Sequence, residues 1–382
     1  MIKKQKILVF IDWFLPGYKA GGPIRSVANI TEHLSSEFEF FIVSRNTDYL
    51  ENKPYPNIKA NQWVKFKENI NIFYFSADNL NVKNIKNLIS NLDFDTIYIN
   101  GIYSFYFSLL PVYLFRKSSK KTIVASRGML SEHSFSSKNI KKQLFIFFAE
   151  TFNFYKNIYF HVTNNTEKSE VSKLKFKSKG YIVAANLPPK LSEKKIEPIL
   201  KKTEKLKLVS IARISIEKNT LFALQILTEN NYSGIIEFDI YGSVYQQDYW
   251  QECKQIIKLL PDNVIVNYKG EINNTKVNST FKKYHFSFMP SLGENFGHSI
   301  LESFIAACPV IISNQTPWQN LEKRNIGWDI SLNDKNKFFK TIQYCINMEQ
   351  EEYNKWSESS YNFAKSFANN PELIKQTKRI FI

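Results

Sequence analysis

The stretch Phe286-Ser287-Phe288-Met289-Pro290-Ser291-Leu292-Gly293-Glu294-Asn295-Phe296-Gly297-His298-Ser299-Ile300-Leu301-Glu302 decides the reading of the fold. Phe286–Met289 is a short, mostly apolar run stopped by a proline, as expected of a buried strand. A polar loop follows. From Gly297 onward the apolar residues take helical spacing, with Ile300, Leu301, Phe304 and Ile305 on one stripe of a helix predicted over His298–Ala307. Pro309 stops that helix, and Val310–Ser313 reads as the next strand. Strand, loop, helix and strand in this order form the repeating unit of a parallel α/β sheet.

The alternation extends upstream. Leu206–Ala212, Ile235–Tyr241 and Val264–Tyr268 read as strands, with helices predicted at Thr220–Glu229, Gln247–Leu260 and Val277–Tyr284. An earlier set has strands at Ile7–Ile11, Phe38–Val43, Thr96–Asn100, Thr122–Ser126 and Ile158–Val162. Its helices fall at Pro23–Leu34, Lys83–Asn91, Phe105–Phe115 and Lys138–Phe154. Between the sets, residues 186–205 lose the pattern, and Pro188, Pro189, Pro198 and a lysine cluster mark an interdomain linker. The expectation is an α/β protein of two Rossmann-like domains facing across a cleft. The first spans 1–185, the second spans 206–350, and 351–382 is a helical tail without strand signal.

Composition bounds what such a chain does. Its 382 residues suit two domains, and 43% hydrophobic with 15% aromatic content excludes a disordered chain. The net charge of +16 is uneven: residues 1–190 hold 27 Lys+Arg against 14 Asp+Glu, and the remainder holds 24 against 21. A basic first half implies an acidic partner there. Nucleic acid is set aside, because no binding motif and no arginine cluster stands in the sequence. Cys253, Cys308 and Cys345 are far apart with no CxxC spacing, which argues against disulfides or zinc and fits a reducing cytosol. At the N-terminus, Lys3, Lys4 and Lys6 precede an apolar run too short for a signal peptide, so a first buried strand is expected. No run reaches the roughly 18 apolar residues of a spanning helix.

Ligands of such sheets lie outside the carboxyl ends of strands, so the strand-to-helix loops are where chemistry is expected. Gly21 and Gly22 before Pro23 let backbone approach a ligand at a helix start that favours anions. This loop is neither GxGxxG nor a Walker loop, so nicotinamide cofactors and P-loop chemistry have no support. After the strand Leu206–Ala212, Arg213 and Lys218 flank a turn into a helix, a pairing suited to a diphosphate. Glu294 sits in the loop after Phe286–Met289. Glu302 sits in the early turns of the next helix, its side chain tilted back to the same sheet edge. The amides of Asn295 to Ser299 point at the same place. Asp93-Phe94-Asp95 matches a metal-binding DxD but lies between a helix and a buried strand, as a solvated turn would.

Taken together and in this order, these motifs resemble the retaining glycosyltransferases of the GT-B fold, family 4. Their signature is a glutamate pair with seven residues between (E-x7-E), usually E-G-F-G-x-x-x-x-E, preceded by G-R-x-x-x-x-K-G. Here they stand as Glu294-Asn295-Phe296-Gly297 with Glu302, and as Arg213 with Lys218. Asn295 and Asn219 replace usual glycines, and asparagine tolerates left-handed backbone best among the other residues. The resemblance implies that Arg213 and Lys218 hold the donor diphosphate and that Glu302 accepts from ribose hydroxyls. It implies that Glu294 and the amides of Asn295, Phe296 and Gly297 bind the donor sugar. Gly270 to Ile272 would read the nucleobase, and Gly21 with Gly22 completes the donor set along with Ser299. Many members place a histidine against the sugar after the strand equivalent to Thr122–Ser126; here Arg127 and His133 are the candidates for that contact.

The same resemblance implies a metal-independent hexosyl- or N-acetylhexosaminyltransferase without cofactor, using a nucleotide-sugar, most often a UDP-sugar, as substrate. The tail 351–382 would pack back on the first domain. The acceptor is expected to be an oligosaccharide or lipid-linked glycan of bacterial surface polysaccharide assembly of O-antigen or capsule type. The segment 136–160 combines Lys138, Lys141, Lys142 and Lys156 with many Phe and Tyr, as an anionic membrane surface favours. The expected location is the cytoplasm, peripheral at the inner face of the membrane. A sugar-nucleotide 2-epimerase of the same architecture is the alternative, ahead of a basic nucleic-acid-binding protein.

Overall fold

The computed structural model describes residues 4–130, 140–191, 198–229 and 231–382. His133 and Lys138, singled out in the sequence, lie outside the described residues, as do the other residues of 136–139. The chain forms two compact units, Met1–Lys190 with Asn370–Ile382, and Leu191–Asn369.

The first unit is built on an eight-stranded sheet of β1 (Gln5–Phe10), β2 (Phe38–Arg45), β3 (Trp63–Lys67), β4 (Ile70–Phe75), β5 (Thr96–Asn100), β6 (Lys121–Ala125), β7 (Tyr159–Val162) and β8 (Gly180–Val183). The order is β3-β4-β2-β1-β5-β6-β7-β8, parallel throughout except that β3 runs antiparallel to β4. β1 lies between β2 and β5, with Val9 paired to Ile42 on one side and Tyr98 on the other. Ile7, Leu8, Val9 and Phe10 are fully buried, as a near-continuous apolar run in a parallel sheet must be. β3, β4 and β8 are additional to the sequence reading. β8 is a four-residue edge strand, partly buried along its whole length, so it shows no alternation to read. Asp95, which the sequence places in a solvated turn, accepts the Lys6 amide at 2.7 Å and fixes the start of β1 beside β5.

The second unit carries β9 (Lys205–Ile211), β10 (Ile235–Tyr241), β11 (Val264–Gly270), β12 (Phe286–Met289), β13 (Val310–Ser313) and β14 (Gly327–Ile330), all parallel, in the order β11-β10-β9-β12-β13-β14. Numbered within the unit this is 3-2-1-4-5-6, the doubly wound order of dinucleotide-binding sheets. β12 is buried at all four positions. Cys253, Cys308 and Cys345 are separate buried thiols.

The predicted tail divides. The helix Gln350–Ala368 belongs to the second unit, where Trp356 stacks on Trp328 at 4.1 Å and Ser357 donates to the Ala307 carbonyl at 2.7 Å. Asn370 caps a new helix with Pro371 in its first turn, and only this helix, Pro371–Phe381, joins the first unit. There Phe381 packs against Phe38, Phe40 and Tyr98. Apolar spacing runs through both helices, so the Asn-Asn-Pro break is the sole mark of the change of unit. Among the described residues no helix is long and apolar enough to cross a membrane.

Candidate functional site

In the second sheet the chain order reverses between β9 and its neighbour β12, and a doubly wound sheet binds ligands at the carboxyl end of such a pair. Both segments that the sequence marks as chemical leave from there. The loop after β9 is pinned by Ile214, fully buried, which exchanges backbone hydrogen bonds with Ser243 and Tyr245 beyond β10. It then makes a short turn at Ile216–Lys218 and passes through Asn219, left-handed at φ +56°. The loop after β12 crosses to meet it. Asn219 Nδ2 donates to the Pro290 carbonyl at 3.0 Å, and the Leu292 amide donates to the Glu217 carbonyl at 2.9 Å. Ser299 Oγ donates to the carbonyl of Ile211, the last residue of β9, at 2.6 Å.

These ties bring Lys218 and Glu294 together. Lys218 Nζ lies 2.6 Å from Glu294 Oε1, which also accepts the Ser291 hydroxyl at 2.9 Å. The side chains are 20% and 14% exposed, enough shelter for a charge-assisted hydrogen bond to hold both in place. The Glu294 amide donates to the Gln315 carbonyl at 3.2 Å, which anchors the loop to the far side of β13. Arg213 projects from the same loop as Lys218, its guanidinium 5.1 Å from the centre of the half-exposed Tyr245 ring.

Gly297 caps the helix His298–Ile305 at φ +76°, where an added Cβ would press on Ile300 and Trp318. The Trp318 indole donates to the Phe296 carbonyl at 2.5 Å, and the Phe296 ring is buried against Trp318, His298 and Phe367. Phe296 therefore supports the loop with its side chain and leaves only backbone to a ligand. Asn295 is partly buried beside it, and Glu302 is partly buried on the second turn of the helix. Gly270 ends β11 at φ +75°, two strands from β9. Its carbonyl accepts the Gly242 amide at 2.9 Å, and space for a Cβ lies open beside it. Ile272 packs, partly buried, on the core cluster that includes Ile211, Val277 and Phe281. An open hollow of about 680 Å³ lies between the helices Thr220–Thr228 and Gln247–Ile257 and is lined by none of the residues the sequence assigns to the donor.

Gly242 is a residue that the sequence reading missed. It follows β10 at φ +142°, and a Cβ there would run into the Ala212 carbonyl, the peptide that launches Arg213. Its signal was available: a glycine directly after a strand, where backbones approach.

In the first unit, Gly21 takes φ +74° and ψ −128°, open to glycine alone, and caps the helix Gly22–Leu34. The loop before it wraps around Asp48, whose carboxylate accepts the amides of Tyr18 at 2.9 Å and Tyr49 at 2.7 Å. This sheet also reverses its order, between β1 and β5, and there Asp12 accepts from Ser104 Oγ at 2.8 Å and Arg45 Nη2 at 3.1 Å. Burial raises the Asp12 pKa, while Ser104 and Arg45 pull it back. The sequence alone places Asp12 merely one residue beyond the expected strand Ile7–Ile11. Arg127 stands at φ +52° after β6, and its side chain turns inward. Nε donates to Asn100 Oδ1 at 2.7 Å, Nη1 to Asn186 Oδ1 at 2.5 Å and Nη2 to the Tyr98 hydroxyl at 2.6 Å. Three of its five donors serve the fold, which makes it a structural hub of the unit.

No curated protein matches the chain in sequence. Similar solved structures span the whole of it. Sucrose-phosphate synthase (tll1590) from Thermosynechococcus elongatus superposes with a TM-score of 0.72 at 13% identity, covering 99% of this chain and 98% of that one. Anabaena Alr3699/HepE, in complex with UDP-glucose, gives 0.68 at 13% identity with 98% of each chain covered. S. aureus TarM, in complex with fondaparinux, alpha-GlcNAc-glycerol and UDP, gives 0.66 at 12% identity with 100% of each covered. The chain thus has the two-domain α/β fold of these proteins, and residues 192–363, which contain Arg213, Lys218, Glu294 and Glu302, match the family model "Glycosyl transferases group 1".

Proposed function

We propose that this chain is a retaining, metal-independent glycosyltransferase of the E-x7-E group in family 4. It moves a hexosyl or N-acetylhexosaminyl group from a nucleotide-sugar, a UDP-sugar in the first instance, to an acceptor hydroxyl. The observation that carries this reading is the joining of Lys218 to Glu294, with Arg213 on the same loop, at the switch point of a dinucleotide-type sheet within the matched stretch 192–363.

The chemistry follows from the charges. As the glycosidic bond breaks, negative charge grows on the departing diphosphate, and cations fixed beforehand stabilise that charge without reorganising. Arg213 and Lys218 are the cations at this sheet edge. Glu294, held by Lys218 and Ser291, is the acceptor group available to donor-sugar hydroxyls, and Glu302 the one available to the ribose. UDP as the leaving nucleotide agrees with the UDP and UDP-glucose named with the similar structures. The acceptor is a glycan, lipid-linked, of a bacterial surface polysaccharide. It meets the enzyme at the cytoplasmic face of an anionic membrane through the basic first unit.

The test is a thermal-shift screen of the protein against UDP-, GDP- and ADP-sugars, followed by product analysis with the donor that stabilises it. A shift with UDP-sugars that Arg213→Ala abolishes is the expected result. Full turnover in Arg213→Ala would remove the diphosphate role.

A further inference from the structure

Within the helix Ile140–Thr151 of the first unit, residues Leu144 to Ala149 (Leu-Phe-Ile-Phe-Phe-Ala) are apolar without a break, so apolar side chains fall on both of its faces. Its inward face is accounted for. Ala149 is buried, Phe145 and Ile146 join the core that includes Phe107, Val124 and Tyr155, and Phe145 sits edge-on to Tyr103 at 5.4 Å. On the outward face, Ile140, Leu144, Phe147, Phe148 and, just past the helix end, Phe152 are 69, 51, 61, 52 and 71% exposed. Steps of three and four residues place them along one side. Phe148 stacks on Phe152 at 6.1 Å, and Phe147 meets Phe148 at 5.9 Å. Together they present several hundred Å² of apolar surface, on the order of the largest patch an ordinary monomer shows and a mark of interaction.

Charge selects the occupant. Residues 101–190, which contain this helix, hold 15 Lys+Arg against four Asp+Glu. Of those acids, Glu167 is buried among Ser126, Gly128 and Thr163, and Glu150 takes the Lys175 amide. The first unit as a whole carries 30 cations and 15 anions, the second 21 and 20. A second copy offering the same face would set like charge against like, whereas acidic lipid headgroups bring the opposite sign.

We infer that the outward face of Ile140–Thr151, continued by Phe152, is an in-plane anchor for a bilayer containing anionic lipid. Ile140, Leu144, Phe147, Phe148 and Phe152 enter the boundary between headgroups and acyl chains, and the basic surface around them, Lys142 and Lys156 included, holds the headgroup layer. The helix lies on the membrane and does not span it. What the anchor delivers, a lipid-linked acceptor, rests on the transferase reading; the anchoring itself does not.

The experiment is flotation of the full chain with vesicles of phosphatidylcholine alone and of phosphatidylcholine mixed with phosphatidylglycerol, at low and high salt. The expected result is binding to the mixed vesicles that weakens with salt, is poorer on phosphatidylcholine alone, and drops about tenfold or more in Phe147→Ser/Phe148→Ser. Both positions are exposed, and an unchanged melting temperature without ligand in the double variant shows that it is folded. Three results overturn the inference: no binding by the parent, equal binding by the variant, or a parent dimer that the variant dissociates. A nucleotide-sugar response without vesicle binding removes the anchor alone. Vesicle binding lost in the variant, with no response to any nucleotide-sugar, upholds the anchor and removes the transferase reading.

Discussion

Lys218 Nζ and Glu294 Oε1 stand 2.6 Å apart at the carboxyl edge of the second sheet, and the Ser291 hydroxyl shares the same carboxylate oxygen. Two groups expected to serve different parts of a donor are thus hydrogen-bonded to each other. On the proposed reading, a diphosphate beside Lys218 would compete with Glu294 for the ammonium, and the carboxylate it freed would become available to hydroxyls. The two charges therefore have separable effects. Lys218→Ala leaves Glu294 largely buried with one neutral partner, and turnover is expected to fall by about 10²–10³ with loss of UDP affinity. Glu294→Gln removes the competitor for Lys218, so UDP binds several times more tightly while transfer falls. Calorimetry with UDP alongside turnover checks both. UDP affinity lowered equally in the two variants would make the pair a structural clamp only.

Gly242 and Gly270 predict a graded response to one methyl group. Both have positive φ, +142° and +75°, so alanine strains the backbone at either. At Gly270 the new carbon meets nothing, and the cost is the conformational term of about 1–2 kcal/mol. At Gly242 it meets the Ala212 carbonyl as well, and β10 must shift away from the loop that carries Arg213. Gly242→Ala is expected to lose more stability than Gly270→Ala in urea titrations and to weaken UDP binding in addition. Equal losses in the two would show that the sheet edge yields freely around Ala212.

The second unit was the more legible in sequence because its site is local. Arg213 with Lys218, and Glu294 with Glu302, lie close along the chain after strands that read as apolar runs, so strand-to-helix logic alone places them. The contact between Lys218 and Glu294 was not legible, since it depends on β12 lying beside β9, and spatial strand order leaves no trace in local spacing. Asp12, Arg45 and Ser104 escape a sequence reading for the same reason: the loop after β1, the end of β2 and the loop after β5 supply them, and only the position of β1 between β2 and β5 unites them. β14 and β8 escape it because each opens on glycine without the unbroken apolar run of β12 or β13: Asp329 interrupts β14, and β8 is partly buried at every position. The division of the tail rests on a break at Asn369-Asn370-Pro371, and apolar spacing on either side of it looks alike.

Arg127 separates a fold role from a ligand role. Its guanidinium donates to Asn100, Asn186 and Tyr98 within the first unit. Hydrogen bonds to a charged group contribute about 1.5–3 kcal/mol each, and losing the set with partial relaxation is expected to cost about 3 kcal/mol. Arg127→Ala should therefore lower the melting temperature by several degrees and leave the affinity ratio between UDP-sugar and UDP as it was. Affinity lost for the UDP-sugar but not for UDP would place the guanidinium on the sugar.

Two buried histidines set the response of the fold to acid. The chain Arg127 Nη2 to Tyr98 hydroxyl to His161 Nδ1 leaves His161 Nε2 to donate to the Ala184 carbonyl at 2.9 Å, which is the pattern of a neutral imidazole. Burial first, and the Arg127 charge second, push the His161 pKa down to about 3. In the second unit His285 Nδ1 accepts the Lys207 amide and Nε2 faces the Leu200 carbonyl; burial pushes its pKa down to about 4. In the unfolded chain both titrate at about 6.5, so below that pH the unfolded state binds protons that the folded state refuses. Stability is then full above about pH 6.5 and declines on acidification, by up to about 1.4 kcal/mol per pH unit for each histidine, until the folded pKa is reached. Urea titrations at pH 7, 6 and 5 are expected to show the decline, and His161→Gln, whose amide can still donate to Ala184, should flatten the contribution of the first unit. A variant with the parent's slope would mean that His161 is already charged in the folded state, contrary to its hydrogen bonds.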